Sequence, residues 1–305
     1  MSTLEQITTK EMTDTSKWYA KLNLEFRQSG PETVLADNTH QGPLRVQRSF
    51  KESDGSKHVY ILHPPGGYVA GDVIEIHILN QDKCHVVATS PSASKFYRCL
   101  PSAPEQYQTI HLKSVDTSLL EWLPQETIFF RGANAKLETS IELSQAASFI
   151  GWEICCLGRT ASGETFDLGQ LTQTLTLACE GELIHRERFS INPGDSIHFQ
   201  PWGLGANPVF GTLIARIVSD NSHRDATTQF TIEDELQQMI TMLRAQFESK
   251  NEGLTWSMTT KNGIVLLRYL GTNSETCKAG FSIARQHLLK QLKNIEPVAP
   301  RIWAT

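Results

Sequence analysis

Several features that define common protein classes are missing from this 305-residue sequence. No apolar run approaches the length needed to cross a bilayer, and Ile264–Leu267 is typical of the longest ones. The chain does not open on a basic segment followed by an apolar one, so no export signal is expected. Its 28 Lys and Arg are outnumbered by 33 Asp and Glu, which disfavours nucleic acid as the main partner. We therefore expect a cytoplasmic protein that binds neither membranes nor nucleic acids.

The common short catalytic and cofactor motifs are absent as well. There is no phosphate-binding loop, no dinucleotide-binding glycine motif, no HExxH zinc motif and no GxSxG nucleophile turn. The six cysteines include no Cys-x-x-Cys pair, and this indicates reduced, largely buried thiols. Cys155 and Cys156 are adjacent, so on a strand they point to opposite faces and disfavour one shared metal site. These absences argue against an enzyme.

From Trp18 to about residue 219 the dominant hydrophobic period is two, which is the period of a half-buried strand. Gly, Pro, Asn or Asp separates most of the short runs, as expected for an all-β protein. No repeat of fixed length is present, which disfavours a regular solenoid. The predicted strands are Lys21–Arg27, Leu44–Arg48, Val59–Leu62, Val73–Leu79, His85–Thr89, Gln106–Leu112, Leu119–Leu123, Thr127–Phe130, Lys136–Leu143, Phe149–Leu157, Leu171–Leu177, Leu183–Phe189 and Val209–Val218.

After residue 219 the apolar spacing changes to three and four residues, which predicts two helices with a hairpin between them. Thr231 can cap the first helix, Asn262-Gly263 favours a tight hairpin turn, and Pro297 and Pro300 are expected to end the second helix. The apolar stripes are Ile232, Leu236, Met239, Ile240, Leu243 and Phe247 in the first helix, and Phe281, Ala284, Leu288, Leu292 and Ile295 in the second. The expected organisation is a flexible polar lead-in (1–17) and one domain (18–305), with a β core to about 219 and a helical part from about 230.

The densest group of turn residues is the run His63-Pro-Pro-Gly-Gly-Tyr-Val-Ala-Gly-Asp72, which connects two predicted strands. Its prolines fix φ and its glycines permit positive φ, so it predicts a rigid bend. His63 and Asp72 bracket the bend, and both side chains can hold a metal ion or a proton. The run is therefore either a plain connection between strands or a bend that positions a ligand.

Carboxylates also occur within or beside the apolar runs of the predicted strands. Each can face solvent on an alternating strand, or several can line one internal wet passage and offer oxygen ligands to a passing cation. A carboxylate buried without a partner would be costly, so nearby Lys and Arg side chains either pair with these acids or face another protein. The acids are Asp72, Glu121, Glu126, Glu142, Glu153 and Glu164, and the bases are Lys95, Arg98 and Arg159.

Five blocks of sequence, in order and with fitting spacing, carry a resemblance to a known family. They are His63-Pro-Pro-Gly-Gly with Gly71-Asp72, Ser92–Arg98 (SASKFYR), Leu120–Phe130 (LEWLPQETIFF), Gly151–Glu164 (GWE and GRTASGE) and Pro300–Thr305 (PRIWAT). Together they resemble the urease accessory protein UreD, called UreH in some organisms. The resemblance runs from about Trp18 to the C-terminus.

This resemblance implies a mainly β fold, with many short strands in stacked, β-helix-like sheets and two C-terminal helices. It also implies a non-catalytic chaperone that binds apo-urease together with UreF and the GTPase UreG and helps to deliver Ni²⁺ through an internal water-filled passage. No cofactor is expected to be tightly bound, because nickel passes through transiently. Under this interpretation Asp72 and Glu164 line or gate the passage, and His63, Glu142 and Glu153 are further members.

Arg301 and Trp303, near the C-terminus, are predicted to contact a partner protein, because Trp and Arg are enriched at binding hot spots. Two other functions stay open. The first is an interaction scaffold that only opens urease for another nickel carrier. The second is a metal-dependent hydrolase that uses His63 and Asp72, although the missing hydrolase motifs count against it.

Overall fold

The computed structural model describes residues 18–192, 194–218, 237–242, 244–246 and 255–304. Within these ranges most of the chain forms short strands in two large sheets. The strands are β1 (Tyr19–Ser29), β2 (Glu32–Gln41), β3 (Arg45–Val46), β4 (Phe50–Lys51), β5 (Lys57–Leu62), β6 (Val73–Asn80), β7 (His85–Thr89), β8 (Ser94–Phe96), β9 (Gln106–Ser114), β10 (Leu119–Trp122), β11 (Thr127–Phe129), β12 (Asn134–Leu143), β13 (Ser148–Leu157), β14 (Gln170–Cys179), β15 (Glu182–Ile191), β16 (Val209–Arg216), β17 (Thr255–Lys261) and β18 (Ile264–Gly271). The helices are α1, of which residues 237–242 and 244–246 are described, and α2 (Ser274–Lys293).

The chain winds as a coil that alternates between the two sheets. The seven-stranded sheet has the order β15-β14-β12-β9-β6-β1-β2, and the eleven-stranded sheet has the main path β17-β18-β16-β13-β10-β7-β5-β3. Successive members of the central part, β6-β9-β12-β14 in one sheet and β5-β7-β10-β13 in the other, pair in parallel. This arrangement confirms the predicted stacked, β-helix-like fold.

The turns of the coil differ in length, which explains why no fixed repeat is visible in the sequence. Val73 lies beside Tyr107, 34 residues later, whereas Tyr107 lies beside Lys136 after 29 residues. Lys136 lies beside Thr172 after a further 36 residues. Stacking requires only that inward side chains match from one strand to the next, and the connections absorb the difference in length. A coil therefore forms even though the sequence lacks a regular period, whose absence had disfavoured a regular solenoid.

Two hydrophobic cores lie on opposite sides of the eleven-stranded sheet. One fills the space between the two sheets, and the other lies between the eleven-stranded sheet and the helices. Cys155 belongs to the first core and Cys156 to the second, as the strand period predicts. Because both faces are covered, Phe149–Leu157 of β13 is almost continuously buried instead of alternating.

Strand β2 was not predicted, because its pattern is that of an exposed edge. From Val34 onward all its side chains are partly or fully exposed and many are polar, so the sequence shows no apolar alternation. The strand is held instead by backbone pairing with β1 along its whole length, from Ser29 beside Glu32 to Lys21 beside Gln41. A bulge between Glu25 and Phe26 shifts the register of that pairing.

The C-terminal part agrees with the predicted helix and hairpin, with one correction. Helix α2 ends at Lys293, before either proline, because Asn294 adopts a left-handed φ of 53° and its N–H donates to Leu289 O. Asn262 (φ 51°) and Gly263 (φ 73°) form the predicted tight turn of the β17–β18 hairpin. This hairpin extends the eleven-stranded sheet through β16, so the sheet continues past residue 219.

Some predicted features lie outside the described residues. They are the N-terminal lead-in 1–17 and, in the first predicted helix, Thr231, Ile232, Leu236, Leu243 and Phe247. The two remaining members of that stripe, Met239 and Ile240, are buried as predicted. Among the described helices, none combines the length and the apolar character that a bilayer crossing requires.

Candidate functional site: a polar cavity inside the coil

A cavity of about 70 Å³ lies inside the coil, between the two sheets. It extends from the 90–93 connection, where Ser92 is exposed, to inward-facing positions of β9, β13 and β14. Polar side chains occupy these positions in place of the aliphatic ones that surround them, and the volume accommodates several water molecules. Its polar lining consists of His63, Tyr68, Ser90, Ser92, Ser94, Gln108, Gln125, Thr127, Glu153, Cys155 and Gln173.

Glu153 is the carboxylate of this cavity. Thr139 donates a hydrogen bond to its Oε1 at 2.5 Å, and the amide of Gln173 donates to its Oε2. The side chain is in contact with the cavity but lies deep in the protein, and this burial raises the pKa of Glu153 against the effect of both hydrogen bonds. The charge of Glu187 raises that pKa further. The site therefore holds a carboxyl group that retains its proton more readily than an exposed one.

The other polar groups of the cavity are neutral. Burial lowers the pKa of His63, which favours the uncharged imidazole, and its ring lies 5.2 Å from that of Tyr68. Burial raises the pKa of the Cys155 thiol well above its usual value, and Cys155 Sγ contacts Gln173 Oε1 at 3.5 Å. Gln108 Oε1 is buried and has no hydrogen-bond partner within the described part of the chain. Such a set offers oxygen and imidazole ligands without a thiolate, which suits weak and exchangeable cation contacts.

Asp72 lies at the bend and not in the lining of this cavity. It is 5% exposed, its Oδ2 accepts a hydrogen bond from Val69 N at 2.8 Å, and its carbonyl accepts one from Tyr107 N at 2.8 Å. Burial raises its pKa, and among the described residues nothing hydrogen-bonds to Oδ1. Gly66 and Gly71 have positive φ, which the sharp turn requires. The run is therefore a rigid bend between strands, and the carboxylate of Asp72 fastens it.

Glu164 and Glu142 lie at two further places. Arg159 Nη2 donates to Glu164 Oε2 at 2.6 Å, and this interaction lowers the pKa of Glu164, which lines a surface cleft of about 210 Å³. Glu142 is exposed and pairs with Lys113 at 3.3 Å. Of the five predicted site residues, the structure thus brings His63 and Glu153 to one cavity and places the other three elsewhere.

Arg301 and Trp303 make contacts within the chain. Arg301 Nη2 lies 3.0 Å from Glu52 Oε2, although the arginine side chain is 65% exposed. Trp303 Nε1 donates to Thr89 Oγ1 at 3.1 Å, and the indole packs against Trp152 with 5.7 Å between ring centres. These contacts fasten the C-terminal tail to the body of the protein. Their predicted role toward a partner stays a prediction.

Sequence reasoning missed Gln108 and Gln173 as lining residues, although the strand period contained a signal. On β9, Gln108 has the same parity as the buried Ile110 and Leu112, so it also faces inward. On β14, Gln173 lies two residues from each of the buried Leu171 and Leu175, so it faces the same side of the sheet as they do. An amide at an inward position between aliphatic neighbours indicates a polar interior.

Comparison with known proteins identifies the family. A sequence model described as UreD urease accessory protein matches residues 19–304. The urease accessory protein UreD of Hahella chejuensis is 38% identical over 296 residues, which cover 96% of this chain and 93% of that protein. The chain belongs to the UreD family. The UreD proteins of Saccharophagus degradans (37% identical, covering 95% of this chain and 94% of that protein) and Alkalilimnicola ehrlichii (35%, covering 94% and 92%) are similarly related.

UreD proteins are urease accessory proteins and not enzymes, and this guides the interpretation of the cavity. In this UreD chain burial disfavours the thiolate of Cys155, and its Sγ contacts Gln173 Oε1 at 3.5 Å, which is not a base. Within the described part of the chain, no three His, Cys, Asp or Glu side chains form a group that could hold a metal ion. The cavity is best described as a polar space in the interior of an accessory protein.

Proposed function

We propose that this UreD-family chain is a nickel-insertion chaperone of the cytoplasm, which binds apo-urease together with UreF and UreG. Ni²⁺ is the cargo in this proposal, and no cofactor is bound tightly. The observation that supports the proposal most is the polar cavity within the coil, where Glu153 faces His63, Gln108 and Gln173 around a space large enough for water. Polar groups are costly to bury in an otherwise apolar core unless they meet water or one another.

The composition of the cavity favours passage over storage. A transported ion must be held weakly enough to leave again, so each tight site on its route would be a trap. One carboxyl group, one imidazole and several amide and hydroxyl oxygens hold Ni²⁺ less strongly than a cage of cysteines and histidines would. The raised pKa of Glu153 adds to this effect, because a proton competes with the cation more strongly for this carboxylate than for an exposed one.

The proposal is tested by activation of apo-urease in the complex with UreF and UreG, with GTP and limiting Ni²⁺. The variant is Glu153→Gln, which keeps the size of the side chain and a hydrogen bond from Thr139 but removes the negative charge. We expect the rate of urease activation to fall several-fold, while co-purification with UreF and apo-urease stays at the wild-type level. Glu32→Gln is the matched control, because Glu32 is an exposed carboxylate that pairs with the exposed Lys51.

The result also separates the passage from an interaction scaffold. If Glu153→Gln forms the complex and activates urease at the wild-type rate at limiting nickel, the interior plays no part and the chain only opens urease for another carrier. If neither the wild-type chain nor Glu153→Gln forms a complex with UreF and apo-urease, the assignment of these partners is wrong.

A further inference from the structure

Two histidines lie side by side on the outer face of the seven-stranded sheet. His77 on β6 and His111 on β9 are direct register partners on parallel strands, and their ring centres are 4.5 Å apart. Their strand neighbours Ile76, Ile78 and Ile110 are buried, so the alternation of the strands turns both imidazoles outward. The pair is separate from the interior cavity.

The hydrogen bonds of His111 determine which of its nitrogens is available. Ser140 Oγ lies within hydrogen-bond distance of His111 Nδ1 at 2.7 Å and of Ile110 O at 3.4 Å. The hydrogen bond with Ser140 therefore engages Nδ1, which leaves Nε2 as the nitrogen that can bind a metal ion. A histidine that binds a metal ion usually has its other ring nitrogen held in this way, because the hydrogen bond fixes the tautomer and the orientation.

His77 has a similar arrangement with a carboxylate. Its Nε2 lies 3.5 Å from Glu75 Oε2, which is too long for a strong hydrogen bond but directs this nitrogen toward the acid. Lys21 Nζ approaches the same carboxylate oxygen at 3.5 Å. His77 Nε2 is buried and makes no hydrogen bond within the described residues, so Nδ1 is the nitrogen left to face the cleft.

The separation of the rings fits coordination of one ion by both. At a metal–nitrogen distance of about 2.1 Å, two imidazoles at right angles around an ion place their ring centres about 4.6 Å apart. The cleft over the pair has a volume of about 420 Å³, which leaves room for water ligands, and Asn23 and Asp37 also line it. We propose that His77 and His111 form a surface site for a divalent transition-metal ion of the borderline class, with Ni²⁺, Zn²⁺ and Cu²⁺ as its candidates.

This site has two protein ligands, and water or another protein completes the coordination. It is therefore an exchangeable site and not a structural one, since structural sites are closed by four protein ligands. Mg²⁺ and Ca²⁺ are excluded by ligand chemistry, because these ions prefer oxygen ligands. The proposal does not depend on nickel passage through the interior.

The test is isothermal titration calorimetry of the full-length chain with NiCl₂ and with ZnCl₂, and with MgCl₂ for comparison. We expect one transition-metal ion to bind per chain, Mg²⁺ to give no binding heat, and His77→Asn and His111→Asn each to weaken binding at least about tenfold. His40→Asn is the control, because His40 is an exposed histidine on β2 of the same sheet and should leave binding unchanged. All variants should keep the thermal midpoint of the wild-type chain, because they alter the outer face of the sheet.

Nuclear magnetic resonance gives a second readout. Paramagnetic Ni²⁺ should broaden the ring resonances of His77 and His111 first among the ten histidines of the chain. The proposal is overturned if the double variant His77→Asn/His111→Asn binds Ni²⁺ with the wild-type isotherm, or if other histidines broaden first. Glu153→Gln should not change this binding, so failure here and failure of the interior passage can be distinguished.

Discussion

Arg285 and Glu121 form a bidentate ion pair in the core between the eleven-stranded sheet and helix α2. Arg285 Nε donates to Glu121 Oε2 at 2.5 Å and Nη2 donates to Oε1 at 3.0 Å, and both side chains are almost fully buried. His85 Nε2 lies 2.8 Å from the same Oε1. Burial is the largest single effect on Glu121 and opposes its ionisation. The charge of Arg285 and the hydrogen bonds with His85 and Arg285 together outweigh burial and lower the pKa of Glu121 to about 2. The pair therefore connects α2 to β10 across 164 residues of sequence.

Arg285→Ala should destabilise the fold strongly, because it leaves a buried carboxylate without its cation. We expect the free energy of unfolding to fall by about 3 to 5 kcal/mol, measured by urea denaturation at pH 7. Lys290→Ala is the matched control on the same helix, since Lys290 pairs with Glu296 at 3.0 Å in an exposed position. Its effect should stay within about 0.5 kcal/mol. Equal effects of the two substitutions would show that the buried pair does not support the helix.

His58 should make the protein less stable as the pH falls below neutrality. It is fully buried, and neither ring nitrogen has a hydrogen-bond partner in the part of the chain that the structure describes. Burial lowers the pKa of His58 to about 4, although Asp54 and Glu52 oppose the shift. The unfolded chain, with a histidine pKa of about 6.5, then binds the proton first. Stability is therefore complete above pH 6.5 and is lost as the pH falls from 6.5 to 4.

His58→Leu should remove this part of the pH dependence. The free energy of unfolding of the variant, relative to that of the wild-type chain, should rise by about 1 to 2 kcal/mol between pH 7 and pH 5, because only the wild-type chain loses the contribution of His58. The measurement is urea denaturation at both pH values. His40→Leu serves as the control because His40 is exposed, so its pH profile should follow that of the wild-type chain. Parallel profiles of His58→Leu and the wild-type chain would contradict the prediction.

Gly280→Ala should destabilise the protein, although alanine is the better helix former. A methyl group at this position of α2 would overlap the indole ring of the buried Trp256. Overpacking costs about 1 to 3 kcal/mol, which exceeds the gain of about 1 kcal/mol in helix propensity. We expect a lower thermal midpoint and a shifted tryptophan emission. Ala279→Gly at the exposed neighbouring position measures the propensity contribution alone, and a stabilised Gly280→Ala would mean that Trp256 moves aside without cost.

Much of the fold is predictable from local pattern. The alternation in Lys21–Arg27 and the stripe through Phe281 and Leu288 arise from the periods of the strand and the helix, which depend only on backbone geometry. The edge strand β2 was missed because backbone pairing with β1 holds it, and that pairing does not require an alternating pattern of side chains. The family was also recognisable from sequence, since five motifs occur in the right order along the chain.

The sequence by itself therefore determined most of the strands, the helices, the bend from His63 to Asp72 and membership in the UreD family. Only the tertiary structure decided that Asp72 fastens this bend while His63 and Glu153 reach one interior cavity. It also decided that Glu121 meets Arg285 and that His77 lies beside His111. The reason is that these contacts depend on how successive turns of the coil stack and on the packing of a distant helix. Neither is set by the pattern of side chains within a single strand.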